Sequence, residues 1–158
     1  MRPTLRRCLT LVAVTKNATK FDLDTIGAGL PVHAQLATIR DAGSVVVQAP
    51  PGTGKTTLIP PLISNEVSET VGKVVVTAPR RVAVRAAASR LASLDGSVIG
   101  DRVGYTIRGD AQPGRLVEFV TLKVLIRRLL RDPELAGVGA IIIDEVHERQ
   151  LDGDLLLG

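Results

Sequence analysis

The sequence APPGTGKTT occupies residues 49–57 and directly follows the apolar run SVVVQ at residues 44–48. The glycines allow the backbone to turn tightly, so that successive N–H groups can face phosphate oxygens. Lys55 can reach the terminal phosphates of a nucleotide, and Thr56 carries the hydroxyl group that binds Mg²⁺ in loops of this type. The stretch therefore predicts a phosphate loop between a strand and a helix, binding a nucleoside triphosphate with magnesium.

Ala49 stands where this loop pattern ordinarily has its first glycine, so a Gly-Pro-rich turn without a ligand is the alternative. A second motif favours the phosphate loop. The apolar run at residues 140–143 leads directly into Asp144 and Glu145. At the carboxyl end of a parallel strand, Asp144 can hold magnesium through water and Glu145 can orient or deprotonate the attacking water. Together the two motifs predict a nucleotide hydrolase.

The composition is that of one globular domain, since 45% of the 158 residues are apolar. The single cysteine excludes a disulfide within the chain, which fits a cytoplasmic location. The longest apolar runs are much shorter than the roughly 18 residues of a membrane span, so we expect no membrane insertion.

The net charge of +4 comes from one end of the sequence. Five of the 20 basic residues and none of the 16 acidic residues lie at positions 1–20, which leaves a net charge of −1 for the remainder. We expect residues 1–20 to form a disordered basic extension, with a targeting peptide as the alternative. Any nucleic-acid site in the remainder must then be a local cluster of arginines.

Apolar periodicity predicts alternating strands and helices, which indicates an α/β fold with a parallel sheet. Strands are predicted at residues 44–48, 73–77, 116–120 and 140–143, and helices at 31–42, from 55 onward, 79–94 and 122–131. Pro60 and Pro61 should interrupt or kink the helix after the loop. Arg80, Arg81 and Arg85 form a basic edge near the start of the helix at 79–94, which is either a solvated surface or a binding site.

The motif DEVH at residues 144–147 and the segment TAPRRVA at residues 77–83 resemble the DEAH-box group of superfamily 2 helicases. Segments at 29–33, 103–109 and 147–152 are similar in particular to bacterial HrpB-type ATP-dependent helicases. The resemblance covers residues 21–158. It implies the first RecA-like domain of such an enzyme, a P-loop NTPase fold in which helices flank a parallel sheet.

The resemblance also implies a role for individual residues. ATP and Mg²⁺ would be bound by Pro51, Gly52, Thr53, Gly54, Lys55, Thr56 and Thr57, and hydrolysis would depend on Lys55, Asp144 and Glu145, with His147 coupling nucleotide state to the rest of the enzyme. RNA would contact Arg80, Arg81 and Thr121, and Arg90 would stack on the nucleobase of ATP. Leu122 and Lys123 depart from the family pattern after Thr121.

The expected partner is single-stranded or structured RNA, with DNA as the alternative. Because the chain has only three aromatic residues, we expect contacts to phosphate and sugar rather than base stacking. The resemblance implies a second RecA-like domain. We expect this sequence to be a truncated first domain without it, incomplete at its C-terminus, with low stability and slow turnover. The alternatives are a nucleotide- or RNA-binding fragment without turnover and a P-loop ATPase with no nucleic-acid role.

Overall fold

The computed structural model describes residues 20–41, 46–67 and 72–144. Its α-helices are α1 (Leu23–Gly27), α2 (Leu36–Asp41), α3 (Lys55–Glu66), α4 (Arg81–Asp95) and α5 (Leu122–Arg131), with a 3₁₀ helix at Pro31–Gln35. Its strands are β1 (Lys73–Ala78), β2 (Val103–Ile107), β3 (Asp110–Gln112), β4 (Val117–Thr121) and β5 (Val138–Ile143). The strands predicted at 73–77, 116–120 and 140–143 and the helices predicted at 79–94 and 122–131 are confirmed, whereas β2 and β3 were not predicted.

The strands form one sheet in the order β3-β2-β4-β1-β5. Strands β2, β4, β1 and β5 are mutually parallel, whereas β3 pairs with β2 in the antiparallel sense. The parallel strands place their carboxyl ends at one edge, so that Ala78 lies opposite Thr121 and Thr77 lies opposite Ile143. This mostly parallel sheet confirms the predicted α/β class and determines where the candidate site lies.

The core is organised by strand alternation, because successive residues of β1 face opposite sides of the sheet. Val74 and Val76 pack into the apolar cluster that contains the buried faces of α3 and α4. Val75 packs instead with Leu125 of α5. Helices therefore cover both faces of the sheet, as the continuous β-branched sequence of β1 predicts.

The predicted strand at 44–48 is wrong for its described part, since residues 46–48 are not in a strand. Positions 44 and 45 lie outside the described residues, as do positions 1–19 of the predicted extension. The Val46 side chain is 95% exposed. Residues 46–48 pair with none of the five described strands, and a strand needs such a partner to satisfy its backbone N–H and C=O groups.

Two predicted helices differ in detail from those observed. The helix predicted at 31–42 is divided into the 3₁₀ turn at Pro31–Gln35 and α2. The interruption predicted at Pro60 and Pro61 is wrong, since α3 continues through both prolines to Glu66. Both prolines are buried, and this burial offsets the two lost backbone hydrogen bonds. None of the helices in the described ranges is long and apolar enough to cross a bilayer.

Candidate functional site

The phosphate-loop sequence forms a tight turn that leads into α3. Gly52 and Gly54 adopt φ angles of +78° and +93°, which side-chain-bearing residues rarely adopt. Gly54 is the N-cap of α3, and its carbonyl accepts hydrogen bonds from the backbone N–H groups of Thr57 and Leu58. The loop therefore precedes a helix N-terminus, where backbone N–H groups and the helix dipole favour an anion.

A segment from the N-terminal part of the domain contacts the loop and restrains its backbone. The Val32 N–H donates a hydrogen bond of 3.1 Å to the Thr53 carbonyl, and the Leu30 side chain packs against Gly54. Within the loop, the Thr53 hydroxyl donates to the Pro50 carbonyl at 2.9 Å. Because the Thr53 carbonyl is engaged on the Val32 side, the curvature of the loop is fixed by the fold and not by a ligand alone.

We expect Gly54→Ala to destabilise the domain more than Gly52→Ala. Both positions require a positive φ, which costs a substituted residue about 1–2 kcal/mol. Only at Gly54 would the added Cβ also lie 2.8 Å from a Leu30 methyl carbon, whereas Gly52 has open space. Urea unfolding of the two variants measures the difference, and equal losses in the free energy of unfolding would show that Leu30 does not restrain the loop.

Lys55 is turned back onto the entry of the loop. Its Nζ atom donates to the carbonyl of Ala49 and, at 3.1 Å, to the carbonyl of Pro50. Ala49, the residue that departs from the usual pattern, thus contributes a backbone acceptor and needs no particular side chain for it. These carbonyls hold the ammonium group at the mouth of the loop, where phosphate oxygens could replace them as acceptors.

The hydroxyl group of Thr56 and the carboxylate of Asp144 meet although 88 residues separate them. Thr56 Oγ1 donates to Asp144 Oδ2 at 2.5 Å. Thr56 lies in the first turn of α3, and Asp144 directly follows β5 at the carboxyl edge of the sheet. A hydroxyl and a carboxylate are the hard oxygen donors that Mg²⁺ prefers, so the two residues fit that metal. Glu145 and His147 lie outside the described residues.

The basic edge of α4 contacts the β2–β3 hairpin. Arg81 Nη2 donates to the Arg108 carbonyl at 3.1 Å, while Arg85 forms an ion pair of 2.5 Å with Asp110 Oδ2. Hydrogen bonding to Asp110 raises the pKa of Arg85, and hydrogen bonds from Arg85 and Tyr105 lower the pKa of Asp110. Sequence reasoning missed Arg108 and Asp110 as parts of this surface, although the turn signal at Gly109, directly after VGYTI at residues 103–107, could have indicated a hairpin.

Two of the other predicted contact residues lie near the basic edge of α4. Arg80 is the exposed N-cap residue of α4. Thr121 ends β4 and occupies the N-cap position of α5, although its side chain makes no capping hydrogen bond. Since Thr121 pairs with Ala78, it lies at the same sheet edge as the start of α4. Arg90 is exposed on α4 at about 13 Å along the helix axis from Arg81, so it stands apart from this group.

Comparison with known proteins identifies the family. The sequence model described as DEAD/DEAH box helicase matches residues 32–153. The chain is 44% identical over 137 residues to the "ATP-dependent RNA helicase HrpB" of Escherichia coli (strain K12), a match that covers 82% of this chain and 17% of that protein. It is 41% identical over 117 residues to the "RNA editing associated helicase 2" of Trypanosoma brucei brucei (strain 927/4 GUTat10.1), covering 72% of this chain and 5% of that protein.

The chain therefore spans less than a fifth of the length of these two relatives. The family match nevertheless includes the phosphate loop, the basic edge of α4 and Asp144. Together with the mostly parallel sheet and the meeting of Thr56 with Asp144, the match is decisive. The chain belongs to the DEAD/DEAH box helicase family.

Proposed function

We propose that residues 21–158 are the ATP-binding first RecA-like domain of a DEAH-type, RNA-dependent ATPase and helicase. In this proposal, ATP hydrolysis drives movement along RNA or the unwinding of RNA. The observation that carries it is the 2.5 Å hydrogen bond between Thr56 and Asp144, because it joins the phosphate loop to the end of a second strand. A turn that merely linked a strand to a helix would have no need of that partner.

The nucleotide would be bound by the loop residues from Pro51 to Thr57. Backbone N–H groups at the start of α3 and the Lys55 ammonium group would bind phosphate oxygens. Thr56 would hold Mg²⁺ directly and Asp144 through water. When bound, the magnesium ion supplies positive charge that offsets the negative charge developing on the phosphate oxygens. Glu145 would orient the attacking water, and His147 would couple the nucleotide state to the rest of the enzyme.

RNA would lie along the surface formed by the start of α4 and the end of β4. Arg80 and Arg81 would bind backbone phosphates, and Thr121 would contact the backbone nearby. Arg90 would stack on the nucleobase of ATP instead. The names of the two relatives, an RNA helicase and an RNA-editing helicase, support RNA as the substrate class. We place this activity in the cytoplasm.

The test is MgATP binding and steady-state ATP hydrolysis, each measured with and without a single-stranded RNA oligonucleotide. The proposal expects MgATP binding, salt-dependent RNA binding and hydrolysis that RNA stimulates. Turnover that RNA does not change would support a P-loop ATPase with no nucleic-acid role. Binding of both ligands without turnover would support a non-hydrolysing fragment.

We expect Arg81→Ala to weaken RNA binding uniformly across sequences. Loss of one phosphate contact should reduce the slope of log affinity against log salt concentration by about 1. Fluorescence anisotropy with a labelled oligonucleotide between low and moderate salt measures the slope. Arg131→Ala is the matched control, because it removes the same charge from the exposed end of α5. If both variants change the slope equally, only net charge matters and Arg81 is not a contact.

A further inference from the structure

The β2–β3 hairpin is fastened to α4 by polar contacts. β3 has three residues and pairs with β2 through Tyr105, Thr106 and Ile107. Because β3 lies at the edge of the sheet and is this short, only a few backbone hydrogen bonds hold it. The Arg81 side chain holds the carbonyl of Arg108 at the hairpin turn, and Asp110 binds α4 through Arg85. The turn residue Arg108 is exposed beside these contacts.

Asp110 is the centre of this attachment. Its Oδ2 atom accepts from Arg85 Nε at 3.2 Å, from Arg85 Nη2 at 2.5 Å and from the Tyr105 hydroxyl at 2.9 Å. The Arg85 guanidinium carbon also lies 5.9 Å from the centroid of the Tyr105 ring, which is almost fully buried. The buried Tyr105 ring is thus held in place, and the Asp110 carboxylate orients the Arg85 guanidinium group next to this ring.

We propose that Asp110 is a positioning residue for RNA binding. It orders the hairpin turn and the Arg85 side chain, so that the guanidinium groups of Arg81, Arg85 and Arg108 form one preorganised set of phosphate donors. The inference rests on the proposed RNA-binding function of this surface. It goes beyond that function because it assigns an acidic residue, which cannot itself bind phosphate, a favourable effect on RNA affinity.

The direction in which one substitution changes RNA affinity tests this inference. Asp110→Asn removes a negative charge from a surface of arginines, so electrostatics without positioning would strengthen RNA binding. If Asp110 positions the arginines, the same substitution weakens RNA binding. We expect affinity for a single-stranded RNA oligonucleotide to fall about fivefold, comparable to the loss of one exposed charge pair. Glu134→Gln changes the net charge equally in the exposed turn after α5, and we expect it to leave RNA affinity unchanged or slightly increased.

Two further variants separate positioning from a general loss of structure. Asp110→Glu keeps the carboxylate and should restore most of the RNA affinity. Tyr105→Phe removes one donor to Asp110 and should weaken RNA binding to a smaller extent. MgATP affinity, measured on the same samples, should not change in any of these variants, because the phosphate loop is attached to different elements. If Asp110→Asn lowers MgATP and RNA affinity together, the Tyr105→Phe variant decides, and unchanged RNA affinity in it overturns the inference.

The remaining outcomes are equally distinct. RNA binding by Asp110→Asn that equals or exceeds that of the unaltered chain overturns the positioning inference while leaving the proposed function intact. Absence of salt-dependent RNA binding in the unaltered chain refutes the proposed RNA function, and the inference with it.

Discussion

Replacing Lys55 by alanine should reduce the affinity for MgATP by about 10- to 100-fold, since a hydrogen bond to a charged group contributes about 1.5–3 kcal/mol. The Lys55 ammonium group is held at the loop entry by the carbonyls of Ala49 and Pro50. It is therefore already close to the path that phosphate oxygens would take into the loop. Isothermal titration calorimetry with a non-hydrolysable ATP analogue and Mg²⁺ measures the change directly.

The stability of the Lys55→Ala variant should change little, because the Pro50 carbonyl is exposed and the Ala49 carbonyl is only partly buried, so that water can replace the ammonium group. Arg131→Ala removes an equal charge from the end of α5 and should bind MgATP normally. A Lys55→Ala variant that binds MgATP as tightly as the unaltered chain, with its melting temperature unchanged, would contradict the assignment of residues 49–57 as a nucleotide site.

The sequence predicted the position of this loop because its chemistry is local. Two glycines, a lysine and a threonine within five residues determine the backbone turn, the ammonium group and the hydroxyl group together. The sequence also predicted that the end of the strand at 140–143 reaches this loop, and Thr56 does donate to Asp144, although residues 46–48 before the loop are not in a strand. The contacts of Leu30 and Val32 with the loop could not be predicted, since nothing in their local sequence shows which later segment they contact.

The strand predicted at 44–48 shows what an apolar sequence pattern cannot predict, namely whether a segment finds a strand to pair with. A β-branched run has a strong preference for extended backbone, but a strand also needs a neighbour with which to pair. The same preference was sufficient for β1, which lies between β4 and β5. The β2–β3 hairpin was missed for a related reason, because its attachment to α4 depends on side chains 25 and 27 residues apart in the chain.

Replacing Glu118 by glutamine should lower the free energy of unfolding by about 3 kcal/mol, as expected when one partner of a buried ion pair is removed. Glu118 is the second residue of β4, and its side chain is fully buried. It binds Lys73 Nζ at 2.6 Å and Arg128 through two hydrogen bonds of 2.6 and 3.0 Å, while the Thr106 hydroxyl donates at 2.5 Å. A neutral amide would leave both cations partly buried without their counter-charge.

The same cluster predicts how stability depends on pH. Burial raises the pKa of Glu118, but hydrogen bonds from Arg128, Lys73 and Thr106 outweigh it and lower the pKa from 4.5 to about 2. A carboxyl group whose pKa is lower in the folded state contributes its full stability above pH 4.5 and loses it as the pH falls towards 2. A shift of this size corresponds to about 3 kcal/mol.

Urea unfolding between pH 2 and pH 6 tests this directly. The free energies of unfolding of the unaltered chain and of Glu118→Gln should differ most at pH 6 and converge as the pH approaches 2, because only the former has the titrating carboxylate. Glu134→Gln is the control, and its curve should follow that of the unaltered chain, since Glu134 is exposed. If the free energies of unfolding of the unaltered chain and of Glu118→Gln change in parallel over this pH range, the ionised Glu118 does not stabilise the contacts of β4 with β1 and α5.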